Sequence, residues 1–122
     1  MAKISTTSRT LSYIRKQGWT AQIVEKYNQF SHQRLDLFNI IDIVAMGDGQ
    51  IIGIQSCGAD FKKHDDKILD EPRALEWLQC GARLILIGWR KVKMIKADGK
   101  KGKVDRYESR IKEYKVEDFE RR

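Results

Sequence analysis

The chain is poor in the features that mark several protein classes. It has one proline and two cysteines in 122 residues. No apolar run approaches the ~18–20 residues of a membrane-spanning helix, so no bilayer segment is expected. The first residues, Met1-Ala2-Lys3-Ile4-Ser5-Thr6-Thr7, hold no apolar stretch of the signal-peptide kind. The expected location is therefore the cytoplasm. Cys57 and Cys80 cannot build a disulfide framework, and in a reducing compartment both read as small core residues. With His32 and His64 they offer no pair at zinc-finger spacing. Ser56-Cys57 has no base beside it in the sequence, so a cysteine nucleophile has no support. Gly47-Asp48-Gly49 lacks the lysine and the following helix of a phosphate-binding loop.

What remains is ordinary globular composition, 41 % hydrophobic and 34 % charged. The length suits one domain over 1–122, with a basic hairpin, 90–115, appended to its core. Lys and Arg number 24 against 17 Asp and Glu, for a net charge of +7. The excess is local. Arg90, Lys91, Lys93, Lys96, Lys100, Lys101 and Lys103 face a single acid, Asp98, between positions 90 and 103. A basic segment on a near-neutral body is the footprint of phosphate contact. A lysine-rich hairpin kept soluble by its charge gives the same pattern.

The hydropathy pattern predicts helix over Thr7–Gln17, stopped by Gly18. It predicts strand over Trp19–Tyr27 and an irregular loop over Asn28–Arg34. The apolar run Leu37–Met46, interrupted by Gly47-Asp48-Gly49 and resumed over Gln50–Gln55, reads as a β-hairpin about an Asp-Gly turn. Runs this apolar belong to strands covered on both faces. Two helices follow, Asp60–Leu69 and Pro72–Cys80. Then come a buried strand over Arg83–Trp89, a pair over Val92–Ala97 and Val104–Tyr114, and a terminal helix or frayed tail. The expected class is α/β, with a mixed central sheet flanked by helices.

One residue is out of place in this pattern. Asp42 interrupts Ile40-Ile41-Asp42-Ile43-Val44. An ionised carboxylate inside a core strand costs several kcal/mol unless something pairs with it. With Asp48-Gly49 as the two turn residues, Gly47 faces Gln50 and Asp42 faces Gln55. Directly opposed side chains share a face, with Cβ atoms about 4.5–5.5 Å apart. Two oxygen donors at that spacing can hold a hard cation, Mg²⁺ or Mn²⁺. A plain Asp–Gln hydrogen bond satisfies the same pattern.

The segment from Arg34 to Ala45, followed by Ile52-Gly53-Ile54-Gln55, resembles the core of the PD-(D/E)XK nuclease superfamily. It is most similar to small phage and bacterial endonucleases near the Holliday junction resolvases and VRR-NUC domains. The segments from Arg9 to Lys26 and from Gly81 to Lys91 extend the resemblance. It implies a restriction-endonuclease-like fold and a Mg²⁺- or Mn²⁺-dependent endonuclease. Such an enzyme cuts DNA, leaves 5′-phosphates, works as a homodimer on branched substrates, and resides in a bacterial or phage-infected cell. On this resemblance Asp42, Gln55 and the backbone carbonyl of Ser56 are metal ligands, with Glu25 as a further acid. Asp36 is a candidate ligand or a cap of the turn into the strand. The motif lysine is missing, since its position is Cys57. Lys67 or Lys63, one turn apart on the following helix, would replace it, with Lys67 favoured. The segment Arg90–Lys103 would grip the DNA. The missing lysine leaves open a catalytically inactive DNA-binding member of the same fold. More distant is an interaction domain that binds no nucleic acid. Trp19, Trp77 and Trp89 read as core residues, His32 as a solvent-facing or substrate-facing loop residue, and His64 as exposed or as approaching the phosphate.

Overall fold

The computed structural model describes residues 5–95, 99 and 101–120, and gives no side-chain description for 93–95 and 101–105. Helix α1, Thr6–Lys16, starts at Ser5, whose side-chain oxygen accepts a hydrogen bond from the Ser8 amide at 3.1 Å. Gly18, at φ +88°, ends the turn that follows. Strand β1, Thr20–Ile23, comes next. A small two-stranded ribbon, β2 (Lys26–Asn28) and β3 (Gln33–Leu35), precedes β4 (Ile43–Gly47) and β5 (Gln50–Cys57). Helices α2 (Phe61–Leu69) and α3 (Pro72–Gln79) carry the chain across to β6 (Arg83–Ile95), which turns into β7 (Lys101–Glu113) and the short helix α4 (Val116–Glu120).

The five-stranded sheet has the order β1-β4-β5-β6-β7. Only the β5–β6 pair is parallel, as a helical crossover requires. The fold is α/β with a mixed sheet, as the sequence predicts. Asp48 at φ +54° and Gly49 at φ +74° form the expected tight turn. The register Gly47↔Gln50 through Ile43↔Ile54 follows from it.

Alternation along the strands feeds two apolar layers. Ile43, Ala45, Ile52, Ile54, Ile85 and Ile87 face α1 and pack with Ile14. Cys57, Leu84 and Leu86 face the other way, onto Phe61 and Ile68 of α2 and Ala74 of α3. Both faces are covered, so the strands carry little polar alternation. Among the described residues no helix is long and apolar enough to cross a membrane.

Four expectations need correction. The strand over Trp19–Tyr27 is broken at Val24-Glu25, where the chain leaves the main sheet for the ribbon. The loop over Asn28–Arg34 contains that ribbon's turn and most of β3. The strand over Leu37–Met46 begins only at Ile43. Leu37 to Ile41 is a turn closed by a bridge, with Leu37 N–H to Ile41 O at 2.7 Å and the reciprocal bond at 2.9 Å. Ile40 and Ile41 are fully buried, but as turn residues under α2 and α3. β6 also runs without a break through Arg83–Ile95, where two separate strands were expected.

Candidate metal centre

Asp42 is the last residue before β4. Its amide donates to Ile54 O at 3.0 Å, which extends the hairpin register by one position and sets Asp42 beside Gln55. Both side chains are 3 % exposed. Gln55 Nε2 donates to Asp42 Oδ2 at 3.0 Å, and the Ser56 amide donates to the same oxygen at 3.1 Å. Gln55 Nε2 also lies 3.4 Å from the Ser56 carbonyl oxygen. The nitrogen of the amide is thus fully used. Asp42 Oδ1 and Gln55 Oε1, both buried, have no hydrogen-bond partner. Buried acceptors of this kind are uncommon and call for a donor or a cation.

Two further acids converge on the pair. Glu25, Asp36 and Asp42 each place a carboxylate oxygen within 4.8 Å of the others. Glu25 arrives from the break between β1 and β2. Asp36 arrives because the turn at 37–41 folds the chain back on itself. Phe38 at φ +52° and Asn39 at φ +67° give that turn its shape. A left-handed backbone is ordinary for asparagine and uncommon for phenylalanine, so Phe38 holds local strain beside the carboxylates. Burial, opposed by the Ser56 amide and reinforced by Asp36 and Glu25, pushes the Asp42 carboxyl up to about 8. Without a cation, this centre holds a proton near neutrality.

The cations nearby are ordered by these acids. Lys67 Nζ stands 3.8 Å from Asp36 Oδ2, and Arg34 Nη1 stands 3.7 Å from Glu25 Oε1. Lys63, one turn earlier on α2, is exposed, and no ion pair ties it to the acids. Cys57 points into the core, where burial pushes its thiol up to about 12, so it supplies neither a cation nor a ready nucleophile.

On the opposite face of β5, Ser56 Oγ and Thr10 Oγ1 are 2.8 Å apart, and Trp89 Nε1 donates to Thr10 Oγ1 at 2.7 Å. This chain braces β5 from the α1 side. Trp19, Trp77 and Trp89 pack partly buried against the two layers, in line with their reading as core.

The chain matches no family model, no curated protein and no solved structure.

The hairpin register does set Asp42 beside Gln55, as the residue count from the turn predicts; Glu25 joins Asp36 and Asp42, and Lys67 pairs with Asp36. Asp36 is drawn into the acidic group, and among the described residues its side chain caps no turn. Arg34 reaches the site through Glu25, and its place in the hydrophilic stretch before Asp36 carries no sequence signal of that. His32 is outside the centre, with Nδ1 3.1 Å from the Tyr27 hydroxyl in the ribbon. In the basic segment, Arg90 is exposed and paired with Glu108 at 3.0 Å, so part of its charge is answered within the protein. Lys96 and Lys100 lie outside the described residues. So do the side chains of Lys93, Lys101 and Lys103, whose backbones belong to the paired strands β6 and β7.

Proposed function

We propose that the chain is a Mg²⁺- or Mn²⁺-dependent endonuclease acting on DNA. The observation that carries this reading is the pair of partnerless buried oxygens, Asp42 Oδ1 and Gln55 Oε1, beside the carboxylates of Glu25 and Asp36. An all-oxygen donor set of this charge suits a hard divalent cation. Asp42, Gln55, Asp36, Glu25 and the Ser56 carbonyl are the groups that would hold it. Such a cation, when bound, supplies an acidified water and charge stabilisation for a phosphate under attack.

The protein's own groups divide the remaining work. The Gln55 and Ser56 N–H groups fix Asp42 Oδ2, which sets the orientation of the carboxylate. Lys67 brings an ammonium to the rim of the acids, where it can balance phosphate charge and orient the water. Arg34 on β3 offers a second cation at the same rim. The basic segment Arg90–Lys103, on the long β6–β7 hairpin, provides the sequence-independent contact with the DNA backbone. A homodimer would present two such centres for paired cuts.

A second reading has one observation in its favour. Cys57 puts a buried thiol where the resemblance expects a lysine, so a DNA-binding protein that does not cut keeps every other feature. The deciding experiment is cleavage of labelled four-way-junction, flap, duplex and single-stranded DNA in Mg²⁺ or Mn²⁺, beside Asp42→Asn. Metal-dependent cutting that the substitution abolishes supports the nuclease. DNA binding without cutting of any substrate supports the second reading. Cutting that survives the substitution refutes the assigned site.

A further inference from the structure

A second group of donors lies at the junction of β5 and α2, two residues along β5 from Gln55 and built from a different set of side chains. Cys57 ends β5, Asp60 immediately precedes α2, and His64 sits one turn into the helix. One ligand atom from each, a sulfur, a carboxylate oxygen and a ring nitrogen, lies within 4.8 Å of the other two. His64 Nδ1 and Asp60 Oδ2 are already 3.4 Å apart. Ligands around a tetrahedral zinc, at bond lengths of about 2.0–2.3 Å, stand roughly 3.3–3.8 Å from one another.

Asp60 occupies the N-cap position of α2 but makes no side-chain capping bond. An aspartate there would ordinarily satisfy a free helix amide. Here the carboxylate turns to His64 instead. Gly88 of β6 contributes a third feature. A Cβ at that position would stand 2.7 Å from Phe61 Cδ2 and 3.2 Å from Cys57 Sγ, so the absent side chain leaves room first for the ring and then for the sulfur.

We propose that Cys57, Asp60 and His64 form a site for a thiophilic divalent cation of the zinc class, separate from the all-oxygen centre at Asp42. Sulfur and imidazole donors select against Mg²⁺ and for Zn²⁺ or its analogues. Coordination converts the Cys57 thiol to a thiolate and releases its proton to solvent. The His64 Nδ1 contact with Asp60 O, at 3.2 Å, gives way if that nitrogen becomes the ligand. Three protein ligands leave a fourth position for water or an external ligand. The bound ion ties the end of β5 to the start of α2, the helix that carries Lys67 to Asp36. Occupancy therefore acts on the position of Lys67, whatever reaction the Asp42 centre performs.

The test is titration of the reduced, metal-free protein with Co²⁺, which reports thiolate ligation by a near-ultraviolet charge-transfer band and tetrahedral geometry by visible bands. One equivalent per chain should bind with both signatures. Cys57→Ser should abolish the charge-transfer band. His64→Ala, at a half-buried helix position, should weaken binding tenfold or more without threatening the fold, and Asp60→Asn should weaken it in the same direction. Cys80→Ser and Asp42→Asn should leave the spectrum intact. No charge-transfer band in the wild type overturns the proposal, as does unchanged affinity in His64→Ala. A band lost in Cys80→Ser assigns the sulfur elsewhere, and one lost in Asp42→Asn assigns the ion to the other centre. Either result also overturns it.

Discussion

Gln55 Nε2 donates to Asp42 Oδ2 across 3.0 Å, and each of these two side chains keeps one buried oxygen with no partner. Both free oxygens are acceptors, and a proton held on Asp42 or a bound cation would complete them.

The first consequence is a pH-dependent stability that metal reverses. The folded-state pKa of Asp42 is raised to about 8 from 3.8. The folded protein therefore keeps this proton where the unfolded chain has lost it. The stability this one group contributes is fully present below the unfolded value and is lost as pH rises from about 4 to about 8. At about 1.4 kcal/mol per unit, the loss is on the order of 5 kcal/mol. Urea unfolding in EDTA at pH 5 and pH 8 should show it, and Asp42→Asn should flatten the trend. Saturating Mn²⁺ should restore stability at pH 8 in the wild type only.

Gln55→Glu adds a carboxylate to the oxygen set. It should raise Mn²⁺ affinity about tenfold, measured by calorimetric titration. In EDTA at pH 8 the same variant should be less stable than the wild type, because a further buried negative charge then lacks a counterion.

Lys67 and Lys63 share a helix face but not a partner. Lys67→Ala should lower the cleavage rate by about 10²-fold or more, as loss of a group acting on the reacting phosphate does. Lys63→Ala should leave the rate within about twofold. Single-turnover kinetics on one cleaved substrate compare the two. Equal losses would contradict the assignment of Lys67.

The contribution of the basic hairpin is read from salt dependence. Replacing Lys96, Lys100, Lys101 and Lys103 by glutamine should reduce the slope of log affinity against log salt by roughly 3–4, if each lysine contacts one phosphate. An unchanged slope would place the DNA contact elsewhere.

Gly47 is fixed by packing rather than by its backbone angle. A Cβ there would run into Cδ1 of the Trp19 ring. The clash is with the base of the indole, which cannot swing away cheaply. Gly47→Ala should cost about 1–3 kcal/mol of unfolding free energy, read by urea denaturation.

The legible and illegible parts of the molecule separate on physical grounds. The Asp48-Gly49 turn fixes the hairpin register, so the meeting of Asp42 with Gln55 follows from counting residues. The turn at Leu37–Ile41 does not announce itself, because Ile40 and Ile41 are buried whether they belong to a strand or to a turn beneath two helices. Hydropathy reports burial, not backbone direction. That turn is what brings Asp36 to Asp42, so the third carboxylate was harder to assign than the first. The break at Val24-Glu25 is hidden similarly by two β-prone segments that join different sheets. Cys57, Asp60 and His64 lack a standard zinc motif because their third donor is a carboxylate, a residue type that spacing rules for cysteine and histidine overlook.

The most direct test of the Asp42 centre is Mn²⁺ binding followed by electron paramagnetic resonance in Cys57→Ser, which removes the thiolate donor of the second site. Mn²⁺ should bind Cys57→Ser, and binding should be lost when Asp42→Asn is added, with the fold intact by circular dichroism. No Mn²⁺ binding in Cys57→Ser, or binding that Asp42→Asn leaves unchanged, would refute a cation site at Asp42.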